Sequence, residues 1–435
     1  MEKILLLTAV GAGSAGCALA NRLTADGSNN VLLLEAGGLE DAAVQVPLFS
    51  ALLQRTDIDW DYTSERQHNA SLSVDDQINR FPRGKVFGGS SSINHIIYAR
   101  GNRKDYDNWV SRYGAEGWSF NDVLPDFISI ETSYLGIDNG YHGDSGEVPV
   151  SFPSSHTKAS DLFLEAGREL GYSNDDYNGP NQTRMNAVGV EYKRYLGTHT
   201  VRARKEVILC AGAIASAQLL MLSGIGPRDH LESLAIYDNY YKKKQGDNVL
   251  MIVPVLLRPK SSGYIRLKSA DPEEYPIIEP NFFADSSDLD TMIEGVTEPS
   301  CCKYFGIQLL CTLILSGSKI AAQTLTTQAM KNGNVTIWDV ALPACESAGP
   351  LWSEPYLRCF VQHTSLSGWH PCCTAPMGTH SQAVLDPRLR VLGGVKKLRV
   401  VDASSMPYLT AGNLNSPLMM MGHRAAAMIM EDNSQ

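Results

Sequence analysis

The sequence has 435 residues, of which 43% are hydrophobic and 19% are charged, so it is long enough to bury one large core or two. Its formal charge is −10 and its longest basic run is residues 242–244. Nucleic-acid partners are held by clustered lysines and arginines, so no nucleic-acid partner is expected. No stretch approaches the roughly 18 apolar residues that cross a bilayer, so no transmembrane segment is predicted either.

The nine cysteines are scattered and none falls in a C-x-x-C spacing, so no metal site is predicted. Cys345 and Cys359 are a candidate disulfide pair if the protein is exported, and the sequons at Asn69, Asn181 and Asn334 would then accept glycans. The first ten residues have a charged start and an apolar centre. They lead directly into a glycine turn, which indicates a first β-strand and not a secretory signal. The sequence leaves two alternatives for the compartment, secreted or cytoplasmic.

A nucleotide-binding turn follows that strand. Residues 3–10 have the pattern of a buried parallel strand, and the next six residues are Gly11-Ala12-Gly13-Ser14-Ala15-Gly16. We expect Gly11 to form the tight turn, Gly13 to let a pyrophosphate approach the backbone, and Gly16 to allow close packing of the helix on the strand. The start of that helix offers unpaired N–H groups to an anion.

A second apolar strand, residues 31–34, ends in Glu35. In dinucleotide-binding folds a carboxylate at this position accepts hydrogen bonds from the ribose hydroxyls of the adenosine half. The G-x-G-x-x-G turn also occurs as a simple small-residue turn in α/β proteins. Strand, helix, second strand and acidic residue stand here in the expected order, which favours dinucleotide binding. The motif does not distinguish FAD from NAD.

Residues 81–94, read as FPRGKVFGGSSSIN, resemble the first signature of the glucose-methanol-choline family of oxidoreductases. In that family the segment lies against the flavin. Two glycines remove side chains where a planar ring must approach, and serines with an asparagine supply short polar groups. A surface Gly/Ser linker is the alternative, but apolar residues are interleaved on both sides. The resemblance assigns cofactor contacts to Arg83, Gly88, Gly89, Ser90 and Asn94.

Two later regions extend the resemblance. Residues 212–227 are similar to the second signature, preceded by a strand that ends at Ala211. The carboxyl-terminal region contains Gly368-Trp369-His370-Pro371, the strand-like run that ends at Asp402 and Ala403, and the turn Gly412-Asn413-Leu414-Asn415 before a methionine-rich helix. The resemblance assigns both catalytic side chains to this last region, and it assigns cofactor contacts to Ala211, Asp402, Ala403 and Asn415.

The resemblance implies an FAD-dependent enzyme that oxidises a primary alcohol, a sugar or a choline-like substrate by hydride transfer to flavin N5. His370 is the implied base, since imidazole takes up protons near neutral pH. Asn415 is the implied second active-site residue, with an amide that hydrogen-bonds the substrate oxygen. Oxygen or a quinone is the expected electron acceptor. Isoleucine at position 93, where some members carry a flavin-linked histidine, implies that FAD is bound without a covalent link.

The chain departs from the family pattern in two ways. It is shorter, with abrupt joints near residues 183–188 and 246–254, and residues 297–335 match poorly. Cys373 also replaces a glycine, where a larger side chain would crowd the flavin face. An inactive or misfolded shortened product, and a lyase on the same fold, are therefore the alternatives to an active oxidoreductase.

The motif order predicts an α/β fold, a doubly wound Rossmann-like FAD domain with a smaller, truncated α+β substrate domain. We assign residues 1–150, 188–250 and 370–435 to the FAD domain, and residues 151–187 and 251–369 to the substrate domain.

Overall fold

The computed structural model describes most of the chain in separate ranges: 7–40, 42–46, 49–50, 52–152, 158–171, 176–180, 256–269, 271, 274–297, 327–333, 340–394 and 396–434. Eight helices are described within these ranges: α1 Ser14–Thr24, α2 Arg103–Tyr113, α3 Phe120–Ile130, α4 Lys158–Glu169, α5 Ser286–Thr297, α6 Gln328–Asn332, α7 Glu354–Thr364 and α8 Asn415–Asn433. Eight strands are described with them: β1 Leu7–Val10, β2 Val31–Leu34, β3 Tyr62–Thr63, β4 Arg80–Phe81, β5 Glu131–Ser133, β6 Val148–Val150, β7 Tyr264–Arg266 and β8 Ile277–Glu279. Among the described helices, none is both long enough and apolar enough to cross a membrane.

The amino-terminal unit is the predicted strand–helix–strand. β1 pairs with β2 in parallel, from Leu7 opposite Val31 to Val10 opposite Leu34, and α1 connects the two strands. The helix buries Ala15, Leu19 and Leu23, which recur at helical spacing. β1 is less buried than predicted, since Val10 is 83% exposed where the strand gives way to the turn.

The carboxyl-terminal helix α8 packs against α1 and α3, so the two ends of the chain form one structural unit. Gly422 makes this packing close: a Cβ atom there would lie 2.2 Å from the carbonyl oxygen of Ala15. Asp126 of α3 joins the three helices through Arg22 of α1 and through His423 and Arg424 of α8, at 2.7–3.0 Å. This arrangement is consistent with an FAD domain assembled from both ends.

Two hydrophobic clusters are described. The larger one centres on the fully buried rings of Tyr106, Trp109 and Trp118 and includes the buried faces of α1, α3 and α8. α2 and α3 both start with a capping box, at Asn102 and Ser119, which satisfies their first N–H groups. The two helices therefore have well-defined starts beneath the nucleotide unit.

The smaller cluster contains Ile293 of α5, Leu342 and the apolar face of α7. A disulfide joins Cys345 to Cys359 across it, which confirms that predicted pairing. The cluster falls within the range assigned to the substrate domain, although the domain boundaries themselves stay a prediction. The joints near 183–188 and 246–254, and the FAD-domain range 188–250, lie outside the described residues.

The strand expected before Asp402 is not a strand in the structure. Within residues 396–402 only Arg399 makes a β-bridge, and its partner is Arg390. Asp402 is the N-cap of a short 3₁₀ helix, Ala403–Ser405. The Asp402 carboxylate accepts a hydrogen bond from the Ser404 N–H at 2.8 Å. A side chain that caps the backbone two residues later favours a turn over a continued strand.

Candidate active site

The glycine turn has the geometry that its sequence predicts. Gly11 has a φ of 98°, in the region that glycine favours. A Cβ atom at Gly16 would lie 2.0 Å from the carbonyl oxygen of Gly11, so only glycine lets α1 start this close to the turn. Gly13 is the N-cap of α1 and offers no side-chain hydrogen bond, which leaves the first N–H groups of the helix free of a side-chain cap. Such a helix start is suited to bind a pyrophosphate.

Glu35 lies directly against this turn. One carboxylate oxygen accepts a hydrogen bond from the N–H of Ala12 at 2.8 Å, and the other accepts one from the N–H of Gly37 at 2.9 Å. These two bonds fix the position of the carboxylate at the end of β2. A carboxylate has about four acceptor sites, so Glu35 can also accept ribose hydroxyl groups.

The first-signature segment folds back onto the glycine turn. The N–H of Gly88 donates to the carbonyl of Ala12 at 2.8 Å, and a Cβ atom at Gly89 would lie 2.8 Å from the Cα of Gly13. Ser90 lies in the 3₁₀ turn Gly89–Ser92, and its hydroxyl accepts from the N–H of Gly84 at 3.1 Å. Two segments that the sequence assigns to the cofactor, about 75 residues apart along the chain, therefore meet backbone to backbone.

A pocket of about 190 Å³ opens beside this junction. Its polar lining includes Glu40, Ser50, Ser91, Ser92 and Asn94. Small-molecule sites usually occupy roughly 300–1,000 Å³, so this pocket accommodates only part of a dinucleotide. Asn94 also accepts a hydrogen bond from the N–H of Ile96 at 2.8 Å, which holds its amide at the pocket wall.

His370 is partly buried and lies beside Arg83. Burial, reinforced by the positive charge of Arg83, lowers the pKa of His370 to about 4. The guanidinium of Arg83 donates to the carbonyl of Trp369, and its buried Nε has no hydrogen-bond partner among the described residues. Burial lowers the pKa of Arg83 to about 10 despite the opposing charge of Asp59, so this side chain remains a cation at neutral pH. The site thus pairs a neutral imidazole with a fixed positive charge.

The two asparagines of the Gly412–Pro417 turn have different neighbours. Asn415, the predicted second active-site residue, accepts a hydrogen bond from the Ser14 hydroxyl at 2.6 Å and so lies at the glycine turn. The amide of Asn413 lies 3.4 Å from Nε2 of His370. Asn413 was not singled out from the sequence. The available signal was the repeated Asn-x-Asn spacing, which places a second amide near the predicted one.

Backbone hydrogen bonds hold the His370 segment beside the Asp402 turn. The N–H groups of Cys373, Ala375 and Met377 donate to the carbonyls of residues 403, 404 and 405 at 2.9–3.0 Å. Asp402 and Ala403 therefore lie next to the segment that carries His370. Ala211, the remaining predicted cofactor residue, lies outside the described residues.

The donor set fits FAD in its chemistry. A glycine turn at an uncapped helix start suits a pyrophosphate, and Glu35 suits a ribose. The Arg83 guanidinium has a buried N–H group that meets no partner in the described part of the chain, which suits an additional polar or anionic group. The one described group of possible metal ligands is Cys345, Cys359 and His363, in which the two sulfurs are joined in the disulfide.

The chain matches known proteins over nearly its whole length. A family model described as GMC oxidoreductase, the abbreviation of glucose-methanol-choline, matches residues 8–185 and 180–250 with its amino-terminal part. Its carboxyl-terminal part matches residues 259–299 and 310–422.

Several curated relatives cover most of the chain. Glucose dehydrogenase [FAD, quinone] of Drosophila pseudoobscura pseudoobscura is 28% identical over 560 aligned positions, which cover 97% of this chain and 86% of the relative. Mitochondrial choline dehydrogenase of Homo sapiens is 29% identical, and the alignment covers 97% of this chain and 89% of the relative. Oxygen-dependent choline dehydrogenase of Sinorhizobium medicae is 30% identical, and the alignment covers 97% of this chain and 94% of the relative. The alignments are longer than the chain, so the chain lacks stretches that its relatives contain.

Solved structures share the fold. Pyridoxine 4-oxidase from Mesorbium loti aligns with a TM-score of 0.67 at 23% identity and covers 98% of this chain and 99% of its own. Formate oxidase aligns with a TM-score of 0.69 at 20% identity, covering 98% of each chain. These likenesses confirm the predicted α/β architecture of an FAD domain with a substrate domain. The chain therefore belongs to the GMC oxidoreductase family, and it is an FAD-dependent enzyme that acts on alcohols.

Proposed function

We propose that this enzyme removes a hydride from the carbinol carbon of a primary alcohol, a sugar or a choline-like substrate, with His370 as the base. Bound FAD supplies the hydride acceptor. The observation that carries the proposal is the environment of His370: its imidazole is neutral above a pH of about 4, and its segment is hydrogen-bonded to the Asp402 turn. An imidazole with this pKa is unprotonated at neutral pH and can accept the hydroxyl proton, and the lowered pKa makes it a weaker base than a free imidazole.

Arg83 and Asn413 assist the base in this proposal. The Arg83 cation favours the neutral imidazole before the reaction and would stabilise negative charge that develops on the substrate oxygen. The Asn413 amide, 3.4 Å from Nε2 of His370, can orient the ring or donate to the same oxygen. A positioned base contributes on the order of 10²- to 10⁴-fold to the rate.

The cofactor contacts that the sequence assigns form the second part of the proposal. Gly11, Gly13 and Gly16, with Ser14 and Ala15 at the start of α1, would bind the pyrophosphate. Glu35 would bind the ribose. The side of the site formed by the first signature and the Asp402 turn would bind the flavin half; its residues are Arg83, Gly88, Gly89, Ser90, Asn94, Asp402 and Ala403. Ala211 and Asn415 complete the proposed cofactor contacts. Isoleucine at position 93 leaves FAD without a covalent link.

The names of the relatives support the proposed substrate class. Their names specify glucose and choline as substrates, and quinone or oxygen as acceptors. Sugars and choline are alcohols that differ in charge, so a panel of both kinds would determine the class. Oxygen or a quinone is the proposed acceptor.

Anaerobic reduction of the bound flavin tests the proposal. We expect the purified holoenzyme to show the flavin absorbance bands and to lose them when the right alcohol is added. His370→Asn should retain the bands but bleach 10²- to 10⁴-fold more slowly. His363→Asn is the matched control, because the His363 ring lies 2.7 Å from the Ser73 hydroxyl and is not one of the proposed site residues, and it should bleach at the normal rate.

Three results would contradict parts of the proposal. Equal bleaching rates in the normal enzyme and His370→Asn would exclude His370 as the base. A chain without flavin that does not take up added FAD would favour an inactive shortened product. Turnover of an alcohol without bleaching would favour a lyase.

A further inference from the structure

A disulfide joins the adjacent residues Cys372 and Cys373, two and three positions after His370. Both side chains are half-buried and pack against the edge of the larger hydrophobic cluster, so they are neither sealed in the core nor fully in solvent. The second cysteine stands where the family pattern has glycine. This pair is a feature of this chain that the proposed alcohol oxidation does not use.

The disulfide has little value as a structural crosslink. A disulfide stabilises a fold mainly by restricting the unfolded chain, and its effect grows with the number of residues in the closed loop. Cys345 and Cys359 are separated by 14 positions and restrict a real loop, whereas Cys372 and Cys373 are separated by one. Cys373 also has a φ of 70°, which is unfavourable for a residue with a side chain. A role other than crosslinking therefore accounts better for the pair.

The position of the pair is fixed within the candidate active site. The N–H of Cys373 donates to the carbonyl of Ala403 at 2.9 Å, directly after Asp402. Arg83, which lies beside His370, donates to the carbonyl of Trp369 on the same short segment. The two sulfurs are thus attached to a stretch of backbone that Arg83 holds on one side, next to His370, and that Ala403 holds on the other, next to Asp402.

We propose that the Cys372–Cys373 disulfide is a second two-electron redox centre, which takes electrons from the reduced flavin. The proposal rests on the proposed function, since alcohol oxidation supplies those electrons. The S–S bond is cleaved by two electrons, and two protons, one from the reduced flavin and one from solvent, convert the sulfurs to two thiols. The flavin returns to its oxidised form. The enzyme can then oxidise a second alcohol molecule before any external acceptor reacts.

Counting products without an acceptor tests this proposal. We expect the anaerobic holoenzyme, mixed with excess alcohol, to form two equivalents of carbonyl product per FAD, against one for a flavin alone. Alkylation followed by peptide mass spectrometry should show two new thiols at positions 372 and 373, with the Cys345–Cys359 pair unchanged as an internal control. Cys373→Gly, which suits the φ of 70°, and Cys372→Ser should each give one equivalent.

Photoreduction of the flavin separates this proposal from the proposed function. Light-driven reduction delivers electrons to FAD without an alcohol. Thiols at 372 and 373 after photoreduction, but no bleaching by any alcohol, would support the redox centre and refute the proposed alcohol chemistry. Bleaching by alcohol with one product equivalent, and no new thiols in either experiment, would overturn the redox centre alone. A protein that binds no FAD would overturn it as well.

Discussion

At the scale of single residues, the environment of the base determines the pH range of the reaction. Burial, reinforced by the charge of Arg83, lowers the pKa of His370 to about 4, so the imidazole loses its proton as the pH rises through that value. We expect the rate constant of flavin reduction to be constant at neutral pH and to fall as the pH decreases toward 4, because protonated His370 is not a base.

Arg83→Gln tests this explanation. Removing the cation makes protonation of His370 easier, so its pKa should rise and the acid limb of the profile should move to higher pH. Stopped-flow flavin reduction as a function of pH measures the shift, with flavin absorbance as a check on FAD content. An unchanged acid limb in a variant that retains FAD would show that Arg83 does not influence the base.

The neighbouring asparagines should have separable roles. Asn413→Ala removes the amide beside His370, so we expect about a tenfold slower flavin reduction with normal FAD content. Asn415→Ala removes the acceptor for the Ser14 hydroxyl, so we expect FAD affinity about 5- to 10-fold weaker. Each variant is the matched control for the other. The opposite pattern would show that Asn415 acts in the chemical step, as the family resemblance implies.

Cys373 shows why glycine is usual at its position. With a φ of 70°, the backbone there adopts a conformation that glycine accepts freely and that costs other residues about 1–3 kcal/mol. From the family resemblance we expected that a side chain larger than glycine would crowd the flavin face. The structure adds a reason that concerns the backbone itself.

At the scale of elements, the contact between α1 and α8 joins the two ends of the chain. Gly422→Ala would place a Cβ atom 2.2 Å from the carbonyl oxygen of Ala15, so the helices must separate. We expect a loss of about 1–3 kcal/mol in the free energy of unfolding. In an exposed helix the same substitution would stabilise the protein by about 1 kcal/mol, so the sign of the change in unfolding free energy tests the packing of α1 on α8.

Chemical denaturation measures this effect. Gly368→Ala is the control, because an added Cβ atom at Gly368 meets nothing within 4 Å, and its stability should stay within about 0.5 kcal/mol of the normal protein. A stabilised Gly422→Ala variant would mean that α1 and α8 do not pack as described.

Elements defined by local sequence were predictable, and contacts between distant segments were not. The turn after β1, the strand that precedes Glu35 and the start of α8 follow from glycine spacing, apolar runs and a proline, all within a few residues. The Asn413–His370 and Arg83–Trp369 contacts join residues 43 and 286 positions apart, which no local pattern reports. The prediction of a strand before Asp402 was wrong, because the Asp402 side chain caps a turn.

A buried polar network is a second example of contacts that local sequence does not predict. Arg100 pairs with Glu131, and His142 lies between Glu131 at 2.5 Å and Asp176 at 2.8 Å. Burial raises the pKa of Asp176, but hydrogen bonds from His142, Asn139 and the Asn178 N–H outweigh this effect, so its pKa lies below the ordinary value. None of these residues stands in a recognisable motif. Their partners are set by the tertiary fold.

At the scale of the whole molecule, the chain combines the described strand–helix–strand of the nucleotide unit with a reduced length. Its relatives align over 560 positions, whereas this chain has 435 residues. The described glycine turn, Glu35 and the first-signature segment nevertheless meet as FAD binding requires. Cofactor binding should therefore contribute to the stability of the molecule, because the proposed FAD contacts come from segments at both ends of the chain.

Thermal unfolding of the apoprotein with added FAD tests this coupling. A ligand that binds only the folded state stabilises it by about 2.7 kcal/mol at 100 times its Kd, so the Tm should rise with FAD concentration. Gly16→Ala, whose Cβ atom would lie 2.0 Å from the Gly11 carbonyl, should distort the turn and show a much smaller rise. Gly38→Ala, at a site where a Cβ atom meets nothing within 4 Å, should respond like the normal protein. Equal FAD-dependent shifts in all three proteins would mean that the cofactor does not bind at the glycine turn.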